Sequence, residues 1–423
     1  MRKLILVAIA AIATLPVIGQ ANMDADIANI ESKVIEWRRY FHQNPELSNR
    51  EYNTAKKIAA HLKSLGMEVQ TDIALTGVVG ILKGNRPGKV LALRADIDAL
   101  PVTERNDLDF KSTVTTTFRG VETGVMHACG HDTHIAILMG VAEVLSKNND
   151  FAGTIKFIFQ PAEEGAPPGE EGGAELMVKE GVLKNPDVDA IFGLHISSQQ
   201  PVGLITYKPG GIMAASQSFE ITVKGKQTHG SQPWGGVDPI MAAVKIIDGL
   251  QTIISRESPL TQEAAVLSIG KITGGVRSNI IPEEVQIVGT LRTLDKNMQA
   301  YINKRMEEMV PAIAAAYRAE ASIQIARGYP ITYNDPALTA QMLPSLQAAA
   351  GASKVVETKA VTGAEDFSFF AQEVPGLYFF LGGRAPGGAE AFPHHTPDFK
   401  IDESGMLLGV KAFIQLSMDY LNN

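Results

Sequence analysis

Three short, largely apolar runs, each ending in a cluster of polar or ionisable residues, constrain this chain more than any other feature. Val90-Leu91-Ala92-Leu93 leads into Arg94-Ala95-Asp96-Ile97-Asp98, residues 154–159 lead into Gln160-Pro161-Ala162-Glu163-Glu164-Gly165, and residues 190–194 lead into His195. Runs of this length read as buried strands. In an open α/β sheet, ligands bind beyond the carboxyl ends of the strands. The three clusters are therefore expected to deliver their donors to one crevice.

The surrounding pattern completes an α/β catalytic domain with a largely parallel sheet flanked by helices. Residues 52–65 and 133–145 have helical periodicity, the second with Ile135, Leu138, Met139, Ala142 and Leu145 on one face, and residues 78–82 form another strand. Lys208-Pro209-Gly210-Gly211 reads as a linker. Beyond it come a strand (219–223), a helix (237–254), two strands (266–272 and 285–291), a helix (298–317) and a strand (321–326). That is the split-βαβ order of a ferredoxin-like α+β unit. The expected division is a catalytic domain over residues 22–208 and 328–423, with an inserted lid/dimerisation domain at 209–327. Gly328-Tyr329-Pro330 would return the chain, and a helix (336–350), a strand (377–381) and a closing helix (404–421) would follow.

The chain opens Met1-Arg2-Lys3, is apolar from Leu4 to Ala13, and has small residues at Gly19 and Ala21. This reads as a signal peptide, residues 1–21, too short to span a bilayer comfortably. Export to the periplasm or beyond is expected, with no membrane partner for the mature form. Thirty-eight basic against 46 acidic residues give a formal charge of −8, and losing Arg2 and Lys3 makes it −10. An acidic chain without basic runs argues against a nucleic-acid partner.

Cys129 is the only cysteine, and it lies in Met126-His127-Ala128-Cys129-Gly130-His131-Asp132-Thr133-His134. Three histidines, a thiol and a carboxylate in nine positions suit a zinc-like divalent ion. A lone exported thiol forms no internal disulfide, and a metal bond would protect it from oxidation. Glu163-Glu164 leaves a strand, so the neighbours point apart: one can bind metal while the other handles the proton of a water. His195, at a strand end, and His394-His395-Thr396-Pro397 supply further candidate ligands, with Asp398, Asp402 and Glu403 as possible orienting carboxylates. His42 and His61 read as structural or surface residues.

Together these residues resemble the metal-dependent amidohydrolases of the aminoacylase–carboxypeptidase superfamily, in the branch of hippurate hydrolases, auxin-conjugate amidohydrolases and N-acyl-amino-acid deacylases. The resemblance runs from Trp37-Arg38-Arg39-Tyr40-Phe41-His42-Gln43-Asn44-Pro45-Glu46-Leu47-Ser48 to His395. It rests on Arg94 to Pro101, His127 to Asp132, Pro161 to Gly165, Gly193-Leu194-His195 and Gly363-Ala364-Glu365-Asp366-Phe367. It implies two divalent ions per subunit, zinc or manganese foremost, with cobalt and nickel compatible. It implies Cys129, His131, Glu164, His195 and His395 as ligands, Glu163 as general base and acid, and Asp98 as the residue that orients a ligand. Asp96 stands where the wider superfamily has a histidine ligand, and whether Asp96 or His134 touches metal stays open.

In the smaller domain, the segments 225–231 and 274–282 resemble family segments that meet substrate and mediate a homodimer. His229 is thereby expected to stabilise an oxyanion, with the partner subunit's site as one place for it, and Asn279 and Arg292 to hold the substrate carboxylate. The implied reaction is hydrolysis of the amide of an N-acyl amino acid, with a short peptide as the alternative substrate of a dipeptidase or carboxypeptidase. A cysteine-nucleophile hydrolase, an exported metal- or solute-binding protein and a purely structural metal site are the competing classes. The first needs no metal, the second needs neither Glu163 nor His229, and the third needs fewer ligands.

Overall fold

A computed structural model describes residues 15–385 and 391–423. Its larger sheet has eight strands in the order Glu68–Ile73, Gly77–Lys83, Ala152–Gln160, Arg86–Asp96, Ala190–Pro201, Gly376–Arg384, Ile205–Tyr207 and Val355–Glu357. The three polar-tipped runs are adjacent parallel strands at its centre. Asp96 is in register with Gln160, so those two strands end side by side, and Arg94 is in register with Gly193. His195, read from the sequence as a strand end, lies instead within Ala190–Pro201, which runs on because Gly376–Arg384 continues to pair with it. Gly376–Arg384 continues the parallel set beside Ala190–Pro201, while Gly77–Lys83 joins Ala152–Gln160 antiparallel.

The near-continuous apolar strands follow from burial on both faces. Phe157 and Phe159 pack into one core with Val34, Leu138 and Phe413, from the helices Leu15–Gln43, His131–Lys147 and Met406–Asn422. Ile158, between them, enters a second cluster on the opposite face with Met177, Phe367 and Tyr378. Pro336–Ala350 starts where its sequence says it should. Asp335 accepts the Leu338 N–H, and Pro336 occupies a first-turn position that needs no donor.

A separate core is drawn from residues 219–325. Its antiparallel sheet runs Ala265–Gly274, Glu284–Thr293, Ala215–Lys224, Glu320–Ile325, the ferredoxin-like order. Pro239–Thr252, capped by Asp238, and Lys296–Ala316, capped by Asp295, supply its helices. The stretch read as a linker is more ordered than its Pro-Gly content suggested. Gly210–Met213 is a strand paired with Thr332–Asn334, so the outgoing and returning chains are hydrogen-bonded together.

Of the segment read as a signal peptide, residues 1–14 lie outside the described residues, and Leu15–Gln43 is one helix. Its Met23, Ile27, Ile30 and Val34 are buried against the body. Among the described residues, no helix is long and apolar enough to cross a membrane.

Candidate active site

The crevice at the strand ends gathers donors from five segments. Cys129 and His131 flank Gly130 at the start of His131–Lys147. Gly130 has φ 94°, and a Cβ there would meet Ile196 Cγ2 at 2.3 Å, so a side chain at this position would keep the helix from seating against the His195 strand. Cys129 Sγ lies 3.4 Å from His195 Nε2 and 3.3 Å from His395 Nε2. Cys129, His131 and Glu164 offer atoms within 4.8 Å of one another.

Two buried atoms at this point, His131 Nε2 and Glu164 Oε1, have no hydrogen-bond partner among the described residues. His395 Nε2 is 3.1 Å from Glu164 Oε1 but is not aligned for a hydrogen bond. Buried polar atoms without partners are costly. Ligands bonded to one tetrahedral ion at about 2.0–2.3 Å sit about 3.3–3.8 Å apart, close to the spacings around Cys129. The residues present therefore fit divalent metal.

The remaining nitrogens explain which rings are available. His131 Nδ1 faces the Asp98 carbonyl at 2.9 Å and Asp98 Oδ1 at 3.2 Å, and His195 Nδ1 donates to the Ile196 carbonyl at 2.6 Å. Each thus has Nε2 left for the crevice, the arrangement expected of metal-binding histidines. Asp98 also accepts from Ser48 Oγ at 2.7 Å and from the Glu164 N–H at 3.1 Å, so it holds both the His131 ring and the Glu164 backbone. His134 has no nitrogen to spare: Nε2 accepts the Ile196 N–H at 2.8 Å, and Nδ1 meets Asp96 Oδ1 at 2.5 Å. His394 is similarly engaged, by the Ser198 N–H at 3.3 Å and the Cys129 carbonyl at 3.1 Å. His395 keeps its Nε2 for Cys129 and Glu164, and its backbone is left-handed, φ 65°, with its N–H donated to the Ala128 carbonyl. A non-glycine residue held in that region is backbone strain of the kind found at functional sites.

Electrostatics favour cations here. Burial pushes the Cys129 thiol up, and Glu164 and Glu163 add to it. Burial alone would lower His131, but Asp96 and Asp98 outweigh it and push the ring up to about 10. Burial and the neighbouring His134 and His394 hold His195 low, hence neutral and fit to coordinate. Burial, then Glu365 and Glu164, pushes the Glu163 carboxyl well above the usual range. Glu163 is otherwise lightly held: Oε1 accepts the Asp366 N–H at 3.4 Å, and Oε2 is 3.9 Å from His131 Nε2.

Behind Glu163, the fully buried Arg94 reaches Asp96 at 2.7 Å, Glu365 at 2.8 Å, Asp366 at 2.9 Å and Gln160 at 2.7 Å. Asp96 is thus tied to Arg94 and His134. The supporting parts of Arg94, Glu365, Asp366 and Ser48 were not assigned from the sequence. A guanidinium at the end of a buried strand was the available signal, because it requires carboxylate partners.

A cavity of about 430 Å³ opens over Cys129, Glu163, Glu164, His195 and His395, with an apolar wall that includes Ile196, Met213, Val361 and Phe380. Among the described residues, no lysine or arginine lines it. The three small-domain candidates lie elsewhere in the chain. His229 and Asn279 are exposed on the ribbon formed by Thr228–His229 and Ile280–Ile281, and half-buried Arg292 turns its guanidinium to Thr290 Oγ1. None of the three lines the cavity of its own subunit.

Comparison with known proteins agrees with this geometry. Residues 92–419 match the model of peptidase family M20/M25/M40. Thermostable carboxypeptidase 2 of Saccharolobus solfataricus is 43% identical over 400 residues, covering 94% of this chain and 98% of that protein. N-acetyl-L-cysteine deacetylase of Bacillus subtilis is 36% identical over 384 residues, covering 90% and 86%. The solved structure of the Bacillus subtilis YXEP protein, described as a dinuclear metal-binding peptidase of family M20, superposes with a TM-score of 0.78 at 35% identity and covers 93% of this chain and 99% of its own. The chain belongs to peptidase family M20/M25/M40 and is a metal-dependent amidohydrolase.

Proposed function

We propose that the protein hydrolyses the amide bond of N-acyl amino acids, with Glu163 as general base and acid beside two divalent ions. The observation that carries this reading is the placement of Glu163 and Glu164. Glu164 Oε1 joins Cys129, His131 and His395, whereas the Glu163 carboxyl stands outside that group in the same cavity, 3.9 Å from His131 Nε2, where it is placed to take and return a proton. Cys129, His131, Glu164, His195 and His395 would hold the ions, zinc or manganese first among them. Bound there, they would supply Lewis-acid polarisation of the scissile carbonyl and acidify water. Glu163 takes the proton of the attacking water and delivers it to the departing nitrogen.

The rest of the substrate is assigned by what the cavity has and lacks. Its apolar wall suits the acyl group. Its lack of a cationic side chain leaves the substrate carboxylate to Asn279 and Arg292 of the small domain. His229 is exposed and its Nδ1 accepts the Ser231 N–H at 3.0 Å, which puts the ring proton on Nε2, as an oxyanion donor needs.

A second copy of the chain would bring these residues to a site. Ala265–Gly274 is an edge strand with exposed Val266 and Ile272, and Ile240, Met241 and Val244 are exposed on the neighbouring helix. An apolar unpaired edge favours edge-to-edge association. A monomer by light scattering would remove the partner role of His229.

Two further points complete the reading. Export with cleavage after Ala21 leaves the buried part of the first helix, from Met23 on, in the mature chain, and N-terminal sequencing of secreted protein tests it. A peptidase activity is the second reading, favoured by the carboxypeptidase name of the 43% identical relative. Metal analysis coupled to turnover of a panel of N-acyl amino acids and dipeptides separates the two. Turnover of dipeptides alone would replace the first reading with the second, and metal bound without turnover of either would remove both.

A further inference from the structure

The peptide joining Glu163 to Glu164 is held at both ends. Its carbonyl, on Glu163, accepts the Tyr329 hydroxyl at 2.7 Å, and its N–H, on Glu164, donates to Asp98 Oδ2 at 3.1 Å. The preceding turn is fastened as well, because the Ala162 N–H donates to Glu51 Oε1 at 2.9 Å. Such support is needed. Ala162 and Gly165, on either side of the two glutamates, are both in left-handed backbone, φ 52° and 100°. Rotation of the central peptide would swing both carboxylates together.

Tyr329 is itself firmly placed. Its carbonyl accepts the Ser216 N–H at 2.9 Å, and its ring meets Phe369 edge-on with centroids 6.0 Å apart. Ser216 and Tyr329 lie on the two segments by which the chain enters and leaves the small domain. Burial, then Asp366 and Glu163, pushes the phenol up, so it remains a donor.

We propose that Tyr329 is a positioning residue for Glu163, clamping the carbonyl end of the Glu163–Glu164 peptide while Asp98 clamps the N–H end. The two clamps keep Glu164 on the ligand side and Glu163 on the proton-transfer side. Tyr329 thereby fastens the catalytic loop to the inter-domain crossing. The inference rests on Glu163 acting as the base.

The test is Tyr329→Phe, which keeps the ring and removes the donor, with Phe369→Leu as a control that loosens the ring but leaves the hydroxyl. Both are loaded with zinc and assayed on N-benzoylglycine, with bound metal, melting temperature and amide exchange over residues 161–166 measured in parallel. Tyr329→Phe should lower kcat by about ten- to a hundredfold, leave KM within about twofold, retain its metal and melting point, and exchange the Glu164 amide faster. Phe369→Leu should melt earlier with kcat within about twofold of the parent. An unchanged kcat in Tyr329→Phe, a loss that follows loss of metal, or an equal loss in Phe369→Leu would overturn the proposal. If the parent turns over no N-acyl amino acid, the functional reading fails separately. Amide exchange then decides for Tyr329, and unchanged exchange in Tyr329→Phe overturns its clamping role.

Discussion

Replacing Arg94 with Met should destabilise the larger domain severely, and in a way that depends on pH. The guanidinium is fully buried and contacts three buried carboxylates, Asp96, Glu365 and Asp366, at 2.7–2.9 Å. Methionine fills much of the volume but leaves these acids without their cation. Removing one partner of a buried ion pair costs about 3–5 kcal/mol, a large share of a total stability of about 5–15 kcal/mol. At about 2–4 °C per kcal/mol for a chain this large, melting should fall by roughly 6–20 °C.

The sign of the pH effect follows from the same contacts. Burial already pushes Asp366 up, and Arg94 is what opposes it, so the variant's folded-state carboxyl rises further above its unfolded value. A group raised on folding contributes stability below its unfolded pKa and loses it as pH rises through the folded one. The variant should therefore be closest to the parent near pH 5 and furthest from it near pH 8. Urea unfolding can follow this in a Trp234→Phe background, where the remaining Trp37 packs against the core of the larger domain. A destabilisation below about 1 kcal/mol, or one equal at pH 5 and pH 8, would refute the electrostatic argument.

Three further outcomes are expected. His127 is buried with neither ring nitrogen partnered among the described residues, and burial lowers its pKa to about 4. Stability is lost as pH falls below the unfolded value near 6.5, so His127→Leu should gain about 2 kcal/mol more over the parent at pH 5 than at pH 8, measured by urea unfolding at both pH values. Exhaustive chelation should abolish turnover and lower the melting temperature, and ions at a hundred times their Kd should restore about 2.7 kcal/mol, read by calorimetry. Activity that survives chelation would instead favour a Cys129 nucleophile. Ile272→Lys, on the exposed edge strand of the small domain, should give a monomer by light scattering with the fold intact. An unchanged dimer would place the interface elsewhere.

The central strands could be read from the sequence because burial on both faces leaves continuous apolar runs, and the polar ends of Arg86–Asp96 and Ala152–Gln160 marked the crevice, whereas His195 marked it from within Ala190–Pro201, whose polar continuation hid its true end. The helix Pro336–Ala350 was readable through its Asp335 cap and Pro336. Harder to see were Ile205–Tyr207 and Val355–Glu357, too short to show a period, and Gly210–Met213, whose order comes from pairing with a strand some 120 residues away. The first helix was obscured because its first residues, from Leu15 on, fall within the segment read as a signal peptide. In the site, residue types and strand-end positions pointed to the donor set. The choice between His394 and His395 and the supporting role of His134 depend on which nitrogen is already hydrogen-bonded. That depends on three-dimensional contacts such as Ser198 N–H to His394 and Ile196 N–H to His134. Tyr329 was visible only as part of a return segment, because its hydroxyl acts on a backbone carbonyl 166 positions earlier.

The division of labour between Glu163 and Glu164 is tested most directly by measuring bound metal and N-benzoylglycine turnover together in Glu163→Gln. Glutamine keeps the shape but cannot carry the proton. The variant should bind as much metal as the parent while kcat falls by about 10²–10⁴. Parental turnover with normal metal content would contradict the assignment of Glu163 as the base.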